Sequence, residues 1–370
     1  MELYVQKNGK ALRRGYTTGT CAAAAAKAAV GLLFSEHAVA DMVEVALPMG
    51  EKVTLPVANS ELVEGTARCH IIKDAGDDPD VTDKAQICAA ARRAGSGVII
   101  KGGEGIGVVT KPGLRVGVGE PAINPVPGKM IFEGIKEVLP DGEGVEVTIY
   151  VPDGKELAKH TMNGKLGIVG GISIIGTTGI VEPRSEKAFM TSLVPQIDIA
   201  LANGYDEVVL TPGRIGERNA LARGVPEDAI IQIGNFVGFM LDECVKKGVK
   251  NVLLFGHLSK LTKVAAGFFD THSKVADARI ETIAAHASSS GADKNIVERI
   301  VCANTAEHAM EILKENGLMG VFNSIAREAG ARASGHVNGR MGIGVALISL
   351  NGELVGRYNL EVCRWGKFLS

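Results

Sequence analysis

The chain has 370 residues, 46% hydrophobic and 22% charged, which suffices for two domains with cores of their own. A formal net charge of −2 and an aromatic content of 4% argue against a nucleic-acid binder, which needs basic stripes and stacking rings. Outside one N-terminal stretch no run of 18 apolar residues occurs, so no membrane span is expected.

The six cysteines show no C-x-x-C pairing and read as reduced, mostly buried thiols of a cytoplasmic protein. The eight histidines show no metal-ligand spacing, so no protein-held metal is expected. The 47 glycines fall in clusters, which points to several glycine-rich loops.

In chain order, Arg13 and Arg14 precede a Gly/Thr loop (Gly15, Thr17, Thr18, Gly19, Thr20) that runs into the alanines 22–26. Alanine has the highest helix propensity, so a helix should start near Thr20 and offer its N–H groups as an anion site beside the two arginines. An ordinary capped helix is the competing reading. The twin arginine, the apolar run to Phe34 and Ala38-Val39-Ala40 mimic an export signal, but Lys27 and the polar threonines interrupt it.

A hairpin is expected over 43–47 and 52–57 and a strand over 66–72. The loop from Lys73 to Asp83 holds five aspartates, which reads as a turn capping a helix over 84–94 rather than a divalent-cation site. Gly102–Gly107 matches a dinucleotide fingerprint only weakly, because Lys111-Pro112 follows where a helix should begin. Gly119–Pro127 is a rigid connector suited to lining a pocket, followed by a helix over 129–138 and a strand over 145–151.

The second half alternates short apolar strands with helical stretches: 172–175, 207–210, 229–233 and 251–255 fit a parallel sheet buried on both faces. Ser185 should cap a helix kinked at Pro195, Asn235 one that stops at Gly248, and Ser259 a third. Residues 345–350 and 353–358 form a hairpin around Asn351-Gly352. The carboxyl ends of the four parallel strands carry Gly176-Thr177-Thr178-Gly179, Thr211 to Gly216, Gly234-Asn235 and His257 to Lys260. Ligands bind at such ends, so a small-molecule site is expected there. His257 is read as a general base or a pocket wall, Asp270 as a substrate orienter or a cap, and Lys260 with Lys263 as a cationic or merely solvated face. The fold class is thus mixed: a layered α+β domain over 1–160 and an α/β parallel-sheet domain over 161–370 that ends in the hairpin.

Arg14 to Ala24, Asp74 to Thr82, Gly119 to Pro127, Asn163 to Pro183 and Gly256 to Lys260, in that order, resemble the cobalt-precorrin-5B C1-methyltransferase family of anaerobic cobalamin biosynthesis. The resemblance implies S-adenosylmethionine as methyl donor, a corrinoid acceptor that carries its own cobalt, cobalt-precorrin-6A as product, and a Rossmann-like second domain. It further implies that Arg13, Arg14, Thr17, Thr18, Thr20, Lys260 and Lys263 meet the substrate's carboxylates. Gly176, Thr177, Thr178, Gly179, Gly213, Gly234 and Asn235 would then hold the donor, with His257 and Asp270 catalytic. No nucleic acid or membrane partner is expected, and the oligomeric state stays open, a homo-oligomer included. Two rivals stand beside it: a non-catalytic tetrapyrrole carrier, and a phosphotransferase using the Thr-Thr-Gly-Thr loop.

Overall fold

The computed structural model describes residues 4–7, 9–35 and 41–369, so Ala38-Val39-Ala40 lies outside the described residues. The chain divides into two compact units, Met1–Glu186 and Lys187–Ser370. This division falls later than the expected one after residue 160. The segment between belongs with the first unit because Ile168–Val169 pairs with Val108–Val109 and Ile180–Val181 pairs with Gly15–Tyr16.

In the first unit, strands Asn59–Val63, Thr66–Ile72, Gln86–Ala94, Gly144–Tyr150 and Val98–Gly102 lie side by side in that order. All neighbours are antiparallel except the last pair. Helix Thr18–Phe34 packs on the second and third strands, and helix Pro125–Lys136 packs on that helix in turn. Ala22 to Ala26 are wholly buried, which explains a helix apolar on every side: it has no solvent face to make polar.

The helix expected over 84–94 is instead the strand Gln86–Ala94. Its alanines favour helix by only a few tenths of a kcal/mol each, roughly, and pairing on both edges outweighs that. Ile87, Ala89 and Ala91 are buried, and their small size lets the alanine helix approach the sheet. The hairpin Met42–Ala46 and Lys52–Pro56 forms as expected.

In the second unit, strands Ile230–Gln232, Glu207–Thr211, Asn251–His257 and Gly342–Ile348 are parallel in that spatial order. Leu354–Tyr358 joins antiparallel at the edge, completing the expected C-terminal hairpin. Val208, Leu210, Val252 and Leu254 are as buried as Val209, Leu253 and Phe255, so both faces of the sheet are covered. Residues 172–175 are not a strand of this sheet. They sit in the first unit, tied by single bridges from Ile172 to Ile106 and from Ile174 to Ile123.

The breaks expected at Pro195 and Gly248 occur, and two of the expected caps differ. Pro195 separates helices Glu186–Leu193 and Pro195–Ala202, since proline cannot donate into a continuous helix. Helix Val237–Lys247 stops at Gly248, which is left-handed. Its N-cap, however, is Phe236, and the Asn235 side chain turns elsewhere. Helix Leu258–Ala265 is capped by His257 rather than Ser259: the His257 ring accepts the Ser259 N–H. Helices Arg279–Ser289, Lys294–Val301, Ala306–Glu315 and Val321–His336 carried no expectation from the sequence. Among the described residues no helix is long and apolar enough to cross a membrane.

Candidate functional site

The Gly/Thr loop forms the helix start its composition calls for. Thr17 caps helix Thr18–Phe34 by accepting the Thr20 N–H. The groups expected to meet a ligand are instead answered by the protein's own chain. The Gly19 N–H donates to the Ile175 carbonyl at 2.9 Å and the Thr17 N–H to the Gly179 carbonyl at 3.0 Å. The Thr20 hydroxyl donates to Gly179 at 2.6 Å, and Thr18 bonds the backbone of Ile175. Thr17, Thr18 and Thr20 are buried. A buried helix end with these partners is a packing joint, not an anion cradle. Gly176 is part of the same joint: its φ is +135°, and a Cβ there would lie 2.3 Å from Thr17 Oγ1. Gly179 likewise faces Leu47 and Thr20. Their missing side chains make room for threonines of this chain, while Thr177 and Thr178 remain exposed.

The arginine and aspartates nearby are similarly matched. The Arg13 guanidinium grips both Asp74 oxygens at 2.7 Å, while the Arg13 backbone N–H donates to Asp77 at 2.6 Å. The hydrogen bond from Arg13 holds the Asp74 carboxyl down to about 2 against the opposing effect of burial. Lys73, buried, donates to Asp80 at 2.7 Å. Burial alone would raise the Asp80 carboxyl, but Lys73 and Thr82 hold it below its usual range. Asp83 accepts the Ala75 N–H. The acidic loop thus folds back on itself and on Arg13, and no helix follows for it to cap.

The first unit also holds a cleft of about 480 Å³ between the Val45–Pro48 segment and helix Pro125–Lys136, mostly apolar. A small second hollow adjoins it, sharing Pro125 and Val126 and reaching Arg115, Asn124 and Thr177. The C-terminal part of the expected connector does line these hollows, but Pro125 to Pro127 do so as the first turn of the helix rather than as irregular chain.

At the carboxyl end of the parallel sheet the second unit gathers Asn235, Lys260, Lys263 and Thr271. Lys260 donates to Asn235 Oδ1 at 2.5 Å, and Lys263 to the Thr271 carbonyl at 3.1 Å. Both ammonium groups thus rest on neutral oxygens. Burial, with Lys260 further affected by the neighbouring Lys263 charge, pulls both below the usual lysine value of 10.5. Lys263 is buried, so it is no solvated face. Asp270 accepts the His272 N–H at 2.9 Å in a local turn, and no helix follows it to be capped. His257 Nδ1 accepts from Ser259 at 3.3 Å, and Nε2 lies 2.7 Å from Glu307 Oε1. Gly213 and His257 flank the point where the strand order reverses, between Glu207–Thr211 and Asn251–His257. A Cβ on Gly213 would meet nothing within 4 Å, so open space lies above it. The expected donor residues therefore divide: Gly176 to Gly179 lie in the first unit, and Gly213, Gly234 and Asn235 in the second.

Three features escaped the sequence. Glu307 reaches His257 from 50 residues away, and nothing local marks it. Phe189 and Phe236 meet beside Gly234 with ring centroids 5.9 Å apart. The apolar cleft needs two distant segments, though Pro125 and Pro127 signalled a rigid wall.

Comparison with known proteins agrees in both halves of the chain. The family model described as CbiD matches residues 5–183, and that described as CbiD, C-terminal domain, matches residues 270–359. A curated protein of Moorella thermoacetica named cobalt-precorrin-5B C(1)-methyltransferase is 53% identical over 94% of this chain and 95% of its own length. One of the same name from Methanocaldococcus jannaschii is 47% identical over 93% of this chain and 96% of its own. The crystal structure of a cobalamin biosynthesis protein (cbiD) from Archaeoglobus fulgidus is 32% identical, over 75% of this chain and 88% of that one, with a TM-score of 0.40. With identity this high sustained over nearly the whole length, this chain belongs to the CbiD family.

Proposed function

We propose that this chain is a C-methyltransferase that methylates C1 of cobalt-precorrin-5B in cobalamin biosynthesis, taking the methyl group from S-adenosylmethionine. The observation that carries the reaction is the 53% identity to a cobalt-precorrin-5B C(1)-methyltransferase over 94% of the chain. In the step, the ring carbon C1 forms a bond to the methyl carbon as the methyl–sulfur bond breaks. The sulfonium becomes the neutral thioether of S-adenosylhomocysteine, and cobalt-precorrin-6A is the product. The sulfonium methyl is already electrophilic, so the protein's task is alignment and exclusion of water.

The acceptor is a macrocycle edged with ionised acetates and propionates, and it calls for cations that are not already neutralised. Lys260 and Lys263 meet that requirement, because neutral oxygens hold them and no carboxylate pairs with either among the described residues. Arg13 does not, being committed to Asp74. The second unit's strand order, with the fifth strand reversed, supports a Rossmann-like reading, in which the carboxyl end suits a ligand. The phosphotransferase alternative loses its cradle, since the Thr17–Thr20 turn is filled by residues 175–179.

The test is a mass spectrum of a cobalt-corrin intermediate pool incubated with the protein and S-adenosylmethionine. Gain of one methyl group, dependent on both, is the expected outcome. A tightly bound corrinoid with no methyl gained would make the chain a carrier instead.

A further inference from the structure

We infer that the apolar cleft of the first unit, between Val45–Pro48 and helix Pro125–Lys136, seats the nucleoside of the methyl donor, with Arg115 in the adjoining hollow receiving the donor's amino-acid carboxylate. The inference rests on the reading of the chain as an S-adenosylmethionine-dependent enzyme, and it assigns that ligand to a place the glycine motifs do not mark.

Size and lining come first. A volume of about 480 Å³ is that of a small-molecule site, and Leu47, Pro48, Val126 and Met130 offer apolar walls for an adenine ring. Met130 also brings a polarisable thioether, a favourable neighbour for an aromatic face.

The polar groups on the rim then discriminate among ligands. Glu137 is taken by Lys27. Glu133, exposed on the same helix, has no hydrogen-bond or ion-pair partner among the described residues. A free carboxylate beside an apolar cleft is suited to accept from the paired hydroxyls of a ribose. With Glu137 paired to Lys27 and Lys129 also on the rim, the cleft presents mixed charge around an apolar floor, a closer match to a nucleoside than to a macrocycle edged with many carboxylates.

The neighbouring hollow supplies the rest. The smaller hollow shares Pro125 and Val126 with the cleft and exposes Arg115, Asn124 and Thr177. None of those three side chains has a polar partner among the described residues. An apolar seat with an uncommitted guanidinium on the far side of its Pro125–Val126 wall matches a molecule with an aromatic nucleoside at one end and a carboxylate at the other.

The test is calorimetric, on the full chain, with two unreactive probes: S-adenosylhomocysteine, and 5′-methylthioadenosine, which lacks the amino-acid end. Glu133→Gln should weaken both probes by roughly tenfold, the loss of one charge-assisted hydrogen bond. Arg115→Met should weaken S-adenosylhomocysteine by a similar factor and leave 5′-methylthioadenosine unchanged. Ala46→Trp should abolish binding of both with the unfolding transition preserved, and the exposed Glu133 variant keeps the test valid if the tryptophan unfolds the unit. Wild-type affinity in all three variants, with methyl transfer intact, would overturn the site alone. Wild-type protein that neither binds the probes nor methylates would overturn the donor reading and the site with it.

Discussion

Arg13 in the first unit, and Lys260 with Lys263 in the second, are cations set beside loops rich in glycine and threonine or asparagine. What answers their charge differs. Arg13 is met by a carboxylate at 2.7 Å on each fork, and its neighbouring threonines are met by backbone carbonyls. Lys260 and Lys263 are met by an amide oxygen and a peptide carbonyl, and burial draws both below the ordinary lysine value. A finished ion pair asks for no ligand, whereas a half-buried and a buried ammonium hydrogen-bonded to neutral oxygens, with Asp270 and Asp277 acting only from a distance, keep charge to offer. The motif that looks most like a ligand cradle in the sequence is therefore the one the protein closes with itself.

Breaking the closed region should cost the most. Gly176→Val would place a Cβ 2.3 Å from Thr17 Oγ1 at a φ of +135°, combining overpacking with backbone strain. We expect a loss of about 2–5 kcal/mol, read as a lower urea midpoint. If residues 176–179 were a free ligand loop, the same substitution would leave the midpoint in place and weaken donor binding only.

The open region should respond in the opposite sense. Lys263→Met removes a buried ammonium whose one hydrogen-bond partner among the described residues is a carbonyl, with Asp277 acting from a distance, and a methionine fills the same shape. The unfolding midpoint should hold or rise. Catalytic efficiency, kcat/KM, for the corrinoid should fall roughly ten- to hundredfold through loss of a charge-assisted contact. A variant that loses stability without losing affinity would place Lys263 in the framework instead.

Alkaline pH sharpens the same point without a mutation. The two lysines titrate lower in the folded chain than the usual 10.5. Between the folded value and 10.5 the unfolded chain binds more protons, so the penalty of burying charge is relieved and stability rises with pH. Acceptor binding should move the other way, because the same deprotonation removes the charge proposed to meet its carboxylates. Unfolding midpoints and KM for the corrinoid, followed together towards alkaline pH, should both rise. A KM flat across that range would mean that neither lysine meets the substrate.

These contrasts also mark what a sequence carries. The parallel strands were legible because residues buried on both faces must be apolar throughout, as at Val208 to Leu210 and Val252 to Phe255. The alanine helix was legible from propensity alone. The strand Gln86–Ala94 was not, because its alanines report a preference that sheet pairing overrides. Residues 172–175 have the apolar run of a buried strand, and only the partners reveal that they bridge within the first unit. At the site, Lys260 and Lys263 could be nominated by their spacing on one helix. That their partners are neutral depended on Asn235 and Thr271, each brought in by a separate loop.

The smallest expected effect concerns His257, which sits at the end of a central strand where a general base would be useful. Its Nδ1 accepts the Ser259 N–H, which places the ring proton on Nε2, directed at Glu307. Glu307 in turn accepts the Leu350 N–H at 2.9 Å, so the imidazole links the start of one helix to the turn after strand Gly342–Ile348. Both ring nitrogens are engaged, and neither lone pair is open to a substrate proton. Asparagine caps a helix well but cannot titrate. His257→Asn should therefore keep kcat within severalfold of wild type, while His257→Ala loses roughly 1 kcal/mol of stability for want of the cap. A general base would show itself by a fall in kcat of about 10²–10⁴ in both variants alike. The asparagine variant decides between the two roles, because it preserves what a cap needs and removes what a base needs.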